Sequence, residues 1–201
     1  MPCIVLLTVT ADGGKLPPYL IFKAKNQGLI EKNLQKDEYV IKNLCFVSCN
    51  ENAWSTKNIM INWYNKVWLK YLKEFHDFIE EKTGFLILDQ ATSHLCKEFV
   101  DLITSGNQEV SFISGGMTRL YQPLDVSINK PYKAALKEKY INFCIESGRE
   151  NIKISRTNMI KFICDTWYSE NIITKDFIRK SYKITGLNNK LAHSEDSLFQ
   201  S

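Results

Sequence analysis

The sequence feature that most restricts the fold is the run Phe85-Leu86-Ile87-Leu88, the most hydrophobic short stretch of the chain, which ends at Asp89. A continuous apolar run of this length predicts a β-strand that is buried on both faces. A helix is predicted over residues 93–104 and a second strand over residues 109–113. This strand–helix–strand order favours an α/β layer with parallel pairing. Asp89 would then lie at the carboxyl end of a strand, where open α/β sheets form their binding sites.

The N-terminal region predicts a β-hairpin. Residues 3–10 are rich in β-branched side chains and residues 18–23 form the expected returning strand. Asp12-Gly13-Gly14 between them is a turn signal, because glycine accepts positive φ without steric cost. We therefore assign Asp12 to the turn rather than to a catalytic site. Residues 25–43 are polar and predict irregular structure, and residues 45–48 predict a short strand.

Four further helices are predicted from apolar periodicity and from boundary residues. The first covers residues 57–81 with Ser55 or Thr56 as its cap, and its aromatic stripe predicts packing against a sheet. The others cover residues 128–147, 155–168 and 174–184, with Gly148 and Gly186 as stop signals. The last dozen residues are polar and are expected to fray.

Composition fits one sizeable hydrophobic core in a chain of 201 residues with a net charge of +4. This charge permits a nucleic-acid partner without requiring one, since a local basic patch matters more than the total. The six cysteines include no Cys-x-x-Cys pair and the three histidines are not at zinc-finger spacing from them, which argues against a zinc enzyme. Because we find no signal peptide and no run long enough to span a membrane, we expect an intracellular protein without a membrane partner.

A second acid, Asp125, follows Pro123 at the start of a predicted helix that carries Lys130, Lys133, Lys137 and Lys139. Two carboxylates on rigid elements, followed by basic side chains, suggest a divalent metal ion held against a phosphate backbone. The residues alone leave a second interpretation open, in which Asp89 and Asp125 only cap helices.

Several motifs resemble the DDE superfamily of transposase endonucleases, in its pogo, Tigger and jerky branch. Residues 86–94, LILDQATSH, resemble the strand that carries the family's second acid, with Gln90 in place of the more common asparagine. Residues 115–133, GGMTRLYQPLDVSINKPYK, resemble the third-acid motif almost throughout, and 35 residues separate the two acids. The hairpin, the Ala53-Trp54 pair and residues 178–187 are similar to further parts of the family domain. The resemblance therefore covers nearly the whole chain.

The resemblance implies an α/β fold in which an RNase H-like mixed sheet is flanked by helices and followed by a helical C-terminal tail. It implies Mg²⁺ (or Mn²⁺) as cofactor and DNA as partner. Residues 1–147 are predicted to form the endonuclease domain, and residues 148–201 a helical extension of the same domain. The nucleus is the expected location, and a homodimer is a further expectation.

The site residues that the resemblance implies follow from position in the two acid motifs. Asp89 would be the second metal ligand and Asp125 the third. His94 and Gln122 are expected to support the site. For His94, contact with a phosphate is a second expected role, and packing at a helix start is an equal interpretation. The candidate DNA contacts, for which a solvated helix face is the alternative, are Arg119, Lys130 and Lys133.

One departure from the family pattern concerns the first acid. The chain begins at what resembles the family's second strand, so no residue matches the first acid, and the family's helix-turn-helix DNA-binding region has no counterpart. The first strand would lie centrally in the sheet. Its absence is expected to leave two facing strand edges with unpaired backbone groups. We therefore expect a truncated or decayed transposase, or a gene model without its upstream exons.

Two functions are compatible with these features. The first is a transposase-derived endonuclease domain, which cuts DNA and transfers strands in the intact family but is inactive here by itself. The second is a domesticated, non-catalytic module that binds DNA or proteins in the nucleus. Retained acids favour the first function.

Overall fold

The computed structural model describes residues 2–76, 84–106, 108–148 and 152–187. It contains two small β-sheets and a set of surrounding helices, which confirms the predicted α/β class. One sheet has the strand order β1-β2-β3 and the other pairs β4 with β5. None of the helices in this described part is long and apolar enough to cross a membrane.

The predicted hairpin is present. Strand β1 (Cys3–Leu6) pairs antiparallel with β2 (Tyr19–Lys23), in a register that places Cys3 opposite Phe22 and Leu6 opposite Tyr19. Gly13 in the connecting turn has φ +94°, and a Cβ atom there would lie 2.5 Å from the Lys175 carbonyl oxygen. Only glycine combines this backbone angle with this close approach, so the turn also fixes where the C-terminal helices contact the hairpin.

The segment predicted to be irregular contains two short helices, α1 (Leu29–Leu34) and α2 (Glu38–Ile41), so that prediction is wrong. Helices of six and four residues are too short to show periodicity in a polar sequence. Local capping defines α2, because the Asp37 carboxylate accepts a hydrogen bond from the Tyr39 N–H at 3.1 Å. Strand β3 (Phe46–Asn50) follows and pairs parallel with β2.

The first long helix begins at Lys57, directly after Thr56, but the Thr56 side chain makes no capping hydrogen bond, so the predicted cap is present by position only. It runs as α3 (Lys57–Trp63), a wider π-helical turn (Tyr64–Trp68) and α4 (Leu69–His76), while residues 77–81 of the prediction lie outside the described residues. Its aromatic stripe is buried in a cluster with side chains of β2 and β4, which confirms the predicted packing against a sheet. The buried stripe comprises Trp63, Tyr64 and Trp68.

Strand β4 (Phe85–Asp89), helix α5 (Lys97–Ser105) and strand β5 (Glu109–Ile113) form the predicted parallel unit. The prediction that β4 is buried on both faces is wrong. Leu86 is 4% exposed, but Phe85 is 54% exposed. Successive side chains of a strand point to opposite faces, so Leu86 lies on the face that packs into the core, and Phe85 lies on the opposite face, which is more open.

The C-terminal half is helical. It consists of α6 (Thr118–Tyr121), a π-helical turn (Leu124–Ile128), α7 (Asn129–Glu146), α8 (Arg156–Trp167) and α9 (Lys175–Ile184). The hydroxyls of Ser155 and Thr174 cap α8 and α9, each accepting a backbone N–H at 3.1 Å. Helix α8 packs against β2 and β3, and Trp167 and Ile178 share a buried cluster with Val9. The boundary at residue 148 stays a prediction, since these helices share hydrophobic clusters with the N-terminal hairpin.

Candidate carboxylate site

A cleft of about 620 Å³ lies between the two sheets. Its walls include residues 5–12, which follow β1 into the hairpin turn, and residues 84–89, which form β4. The segment 122–125 and Asn129 line it from the helical half. Four of the predicted site residues line this one cleft: Asp89, His94, Gln122 and Asp125.

Asp89 is the last residue of β4 and is held by the turn that follows the strand. Its Oδ1 atom accepts the Ala91 N–H at 3.2 Å and lies 2.6 Å from Nδ1 of His94. The hydrogen bond from His94 lowers the pKa of Asp89, and this effect outweighs desolvation, which acts in the opposite direction. The carboxylate is therefore kept ionised, which is the form that binds a cation.

His94 is positioned by a tight turn in which its own N–H donates to the Ala91 carbonyl at 2.8 Å. Because an ionised carboxylate can only accept hydrogen bonds, the proton of this contact must be on Nδ1 of His94. The same Nδ1 also lies 3.2 Å from the Asp89 carbonyl oxygen. The structure thus shows His94 in direct contact with the Asp89 carboxylate, and its part in a metal site stays a prediction.

Asp125 lies in the π-helical turn that precedes α7, and its side chain is exposed. Its Oδ1 atom accepts a hydrogen bond from Nδ2 of Asn129 at 2.7 Å. The turn is fixed to the C-terminal helices because the Ser181 hydroxyl donates to the Pro123 carbonyl at 2.8 Å. Single π-helical turns within helices often occur at functional sites, where they change the direction of a side chain.

Gln122 precedes this turn and contains an unusual feature. Its Oε1 atom is shielded from solvent and has no hydrogen-bond partner among the described residues. An unsatisfied buried acceptor costs about 1–3 kcal/mol. Gln122 therefore has a buried oxygen with unused hydrogen-bonding capacity, close in the chain to the Asp125 turn.

The three predicted DNA contacts do not line the cleft. Arg119 is exposed on α6, and Lys130 and Lys133 are exposed on the first turns of α7. Residues three apart on a helix share a face, so Lys130 and Lys133 form one basic strip directly after the Asp125 turn. The structure thus separates the predicted site into acids inside the cleft and cations outside it.

The donor atoms of the site suit a hard divalent cation. The described part of the chain has no group of three or more His, Cys, Asp or Glu side chains placed to hold a metal ion. In both Asp89 and Asp125, however, Oδ2 receives no hydrogen bond from any described residue. Mg²⁺ prefers such oxygen ligands and is typically bound by one or two carboxylates plus phosphates and water. The two acids fit this pattern, with the remaining ligands supplied from elsewhere.

Two residues that organise the site, Asn129 and Gln90, were not predicted as site residues from the sequence. Asn129 holds Asp125, and the spacing of four residues within a helix was a usable signal for this contact. The Gln90 side chain accepts the Gly115 N–H at 3.0 Å and so joins the end of β4 to the loop after β5. No local signal predicts that second contact, because it joins residues 25 positions apart.

Asp12 lies in the hairpin turn, as predicted, and it also borders the cleft. Its carboxylate accepts the Thr10 hydroxyl, and the oxygen of that hydroxyl accepts the Gly14 N–H at 2.8 Å. These bonds within the turn are those expected of an acid that stabilises a hairpin connection.

Comparisons with known proteins agree with the motifs. A family model for the DDE superfamily endonucleases matches residues 3–182. The human protein "Pogo transposable element with KRAB domain" is 25% identical over 203 residues, which cover 97% of this chain and 30% of that protein. Its mouse namesake is 23% identical over 206 residues, with the same shares covered. The human "Pogo transposable element with ZNF domain" is 25% identical over 138 residues, 69% of this chain and 9% of that protein. The chain thus spans less than a third of the length of these relatives, and no solved structure matches it significantly.

Proposed function

The chain belongs to the DDE superfamily endonucleases of pogo-type transposases, and on this premise we propose that it contains the metal-binding part of a DNA-cleaving site. The observation that carries the proposal is that Asp89 and Asp125, from two separate motifs, line the same cleft. The intact protein would hydrolyse DNA at a transposon end and then transfer the strand. The fold proposed for it is RNase H-like.

Each residue has a defined part in this proposal. Asp89 and Asp125 would hold a divalent metal ion through their carboxylate oxygens, and the contacts from His94 and Asn129 would orient the two carboxylates. Bound Mg²⁺ or Mn²⁺ supplies Lewis-acid stabilisation of the charge on phosphate oxygens. Gln122 lines the same cleft, close in the chain to Asp125. The described residues supply two acids, so we expect the chain to bind metal weakly and to be inactive by itself.

The basic strip would hold the DNA backbone. Arg119, Lys130 and Lys133 are exposed and lie on either side of the Asp125 turn in the chain. Contacts from lysine and arginine to phosphate position a duplex without selecting its sequence. Because the proposed substrate is DNA, we place the protein in the nucleus, and two copies would be needed to hold two transposon ends.

The second candidate function is a non-catalytic nuclear module that binds DNA or proteins. One observation favours it: among the described residues no third acid, histidine or cysteine joins Asp89 and Asp125 in a metal-binding group. Such a module would still use the basic strip, but it would not need Asp89 and Asp125.

A manganese titration followed by electron paramagnetic resonance separates these functions. We expect the unmodified chain to bind Mn²⁺ weakly, Asp89→Asn to lose this binding, and the matched control Asp101→Asn, on the exposed side of α5, to keep it. If Asp89→Asn bound Mn²⁺ as tightly as the unmodified chain, Asp89 would not be a metal ligand. The non-catalytic module would then be the remaining candidate function.

DNA binding is tested separately by fluorescence anisotropy with a labelled duplex. Replacing Lys130 and Lys133 by alanine should weaken binding and lower the slope of log K against log salt by about 2, because two phosphate contacts are lost. The control pair Lys32 and Lys36, exposed around α1, should leave the slope unchanged. An unchanged slope in the Lys130 and Lys133 variant would exclude them as phosphate contacts.

A further inference from the structure

A second cavity, with a volume of about 460 Å³, lies at the carboxyl ends of the parallel strands β2 and β3. Its lining includes residues 48–50 at the end of β3, residues 26–27 after β2, and Glu31 of α1. The remaining lining residues belong to the first long helix, with Thr56 directly before it. The cavity shares no lining residue with the cleft of the two acids. Open α/β sheets bind ligands outside the carboxyl ends of their strands, so this position suits a binding site.

Three polar side chains of the first long helix line the cavity together, namely Asn58, Asn62 and Lys66. They recur every four residues, which places them on one face of the helix. Lys66 lies in the π-helical turn, a feature that often occurs at functional sites. The amides of Asn26, Asn58 and Asn62 have no hydrogen-bond partner among the described residues, and the Lys66 ammonium group forms no ion pair with them. These groups are therefore available to a ligand.

Other polar groups of the cavity are engaged within the protein. The Ser48 hydroxyl is hydrogen-bonded to the Tyr19 hydroxyl at 2.6 Å, and Glu31 Oε2 accepts the Gln27 N–H at 2.6 Å. The lining contains one lysine, Lys66, and one carboxylate, Glu31, so the cavity is close to neutral. A ligand with several hydrogen-bonding groups and a single anionic group fits this combination better than a polyanion does.

Trp54 lies in the turn between the lining residues Asn50 and Thr56, and its side chain is 69% exposed. The Asn50 side chain holds the Trp54 backbone, since its Nδ2 donates to the Trp54 carbonyl and its Oδ1 accepts the Trp54 N–H at 3.1 Å. Ala53 has φ +55°, a left-handed conformation that favours glycine, and such backbone strain is common at binding sites. A large aromatic side chain on a fixed backbone provides a stacking surface for another ring.

We propose that this cavity binds an adenine nucleotide, either free or as part of a single DNA strand. An asparagine amide pairs with N6 and N7 of adenine through one acceptor and one donor, and the helix face presents two such amides. Lys66 binds the phosphate, and Trp54 stacks on the base from the turn that borders the cavity. The volume lies within the usual range for small-ligand sites. The inference goes beyond the proposed function, because it uses neither the two acids nor the basic strip.

The first experiment titrates AMP into the full chain in EDTA and follows tryptophan fluorescence. Trp54 is the exposed tryptophan, while Trp63, Trp68 and Trp167 are at most 5% exposed, so a stacked base should quench Trp54 selectively. We expect saturable quenching by AMP that is absent in Trp54→Ala. Calorimetry should show about tenfold weaker AMP binding by Trp54→Ala, because base–aromatic stacking is lost.

The recognition of the base is tested with IMP, in which a carbonyl oxygen replaces the exocyclic amino group of AMP. IMP should bind the unmodified chain about tenfold more weakly, because the amide no longer pairs with both N6 and N7. The double variant Asn58→Ala with Asn62→Ala should bind AMP about tenfold more weakly and should not distinguish AMP from IMP. The matched control, Asn33→Ala with Asn65→Ala, replaces two exposed asparagines outside the cavity and should behave like the unmodified chain.

The phosphate contact is tested by comparing AMP with adenosine. The unmodified chain should bind AMP about tenfold more tightly than adenosine, because a charge-assisted hydrogen bond to Lys66 is gained. Lys66→Gln should bind the two ligands equally, whereas Lys70→Gln, at an exposed lysine outside the cavity, should keep the preference. Loss of the preference in both lysine variants would show a general charge effect and overturn the Lys66 contact.

A competition experiment identifies the source of the nucleotide. Displacement of AMP by a short single-stranded oligodeoxyadenylate, but not by an oligothymidylate of the same length, would place an adenine of a DNA strand in the cavity. If neither strand displaces AMP, the ligand is a free nucleotide, and both of these results support the site. Equal displacement by the two strands would show binding without adenine recognition and overturn the proposal.

The proposal is also overturned by an absence of saturable AMP binding, by equal affinities for AMP and IMP, or by equal effects of the two asparagine double variants. Circular dichroism verifies the folding of each variant. If a variant does not fold, the comparison of AMP, IMP and adenosine with the unmodified chain still decides the outcome. Because every titration is done in EDTA, no result depends on Mn²⁺ binding by Asp89, and the proposed function can fail independently.

Discussion

Nδ1 of His94 lies 2.6 Å from Oδ1 of Asp89, and the two side chains are 14% and 36% exposed. A histidine that follows an acid by five positions is directed back onto it by the short turn after β4. This contact is the largest cause of the lowered pKa of the Asp89 carboxyl.

We expect His94→Ala to raise the pKa of Asp89 towards its ordinary value, because the largest cause of the lowered pKa is removed. A carboxyl group with a lowered folded-state pKa adds stability above its unfolded pKa and loses it as the pH falls through the folded value. The destabilisation caused by His94→Ala should therefore be seen at neutral pH and should disappear in acid. A carbon-13 NMR titration of the Asp89 carboxyl measures the pKa directly, with the exposed Lys97→Ala as control. An unchanged Asp89 titration would show that the contact does not persist in solution.

Replacement of Gln122 and of Gln108 by leucine is expected to change the free energy of unfolding in different ways. Gln122→Leu should leave the free energy of unfolding unchanged or raise it by up to about 1 kcal/mol, because it removes a buried acceptor without a partner. Gln108→Leu should lower it by about 2–3 kcal/mol, because Gln108 Oε1 accepts from Tyr64 Oη at 3.2 Å and Trp68 Nε1 at 2.6 Å. Urea unfolding measures both, and a clear destabilisation by Gln122→Leu would mean that its oxygen has a partner in solution.

Asn129→Ala should weaken Mn²⁺ binding about tenfold while leaving the fold intact, because the Asn129 amide orients the Asp125 carboxylate at 2.7 Å. The proposed ligand remains in place, so Asp125→Asn should have the larger effect. Calorimetric titration with Mn²⁺ compares the two variants with Asn33→Ala, an exposed asparagine of α1. Equal affinities in Asn129→Ala and Asn33→Ala would argue against a supporting role of Asn129.

Trp167→Phe should lower the free energy of unfolding by about 2 kcal/mol. The indole N–H of Trp167 donates to the buried Leu16 carbonyl at 2.9 Å, and phenylalanine leaves that acceptor unpaired with a small cavity beside it. Trp54→Phe, at a side chain that is 69% exposed, should change stability by less than about 0.5 kcal/mol. Guanidinium unfolding midpoints separate these outcomes, and similar midpoints would mean that the Trp167 contact adds little.

Local signals account for the elements that could be predicted from the sequence. The hairpin turn, the two helices that begin after Ser155 and Thr174 and the strand over residues 109–113 all follow from residues that are neighbours in the chain. Asp89 was placed at the end of its strand for the same reason. The short helices α1 and α2 were missed, because so few residues show no periodicity.

The sequence alone determined approximately where each main strand and helix lies, and the two motifs that carry Asp89 and Asp125, because turn geometry, capping and apolar periodicity are properties of adjacent residues. Only the tertiary structure decided that the two acids share a cleft and that β4, among the described strands, is paired on one edge only. These features depend on contacts between distant residues, such as Trp167 with Leu16 across 151 positions. The free energy of such contacts arises only when the whole chain is packed, so it cannot be read from any short stretch of the sequence.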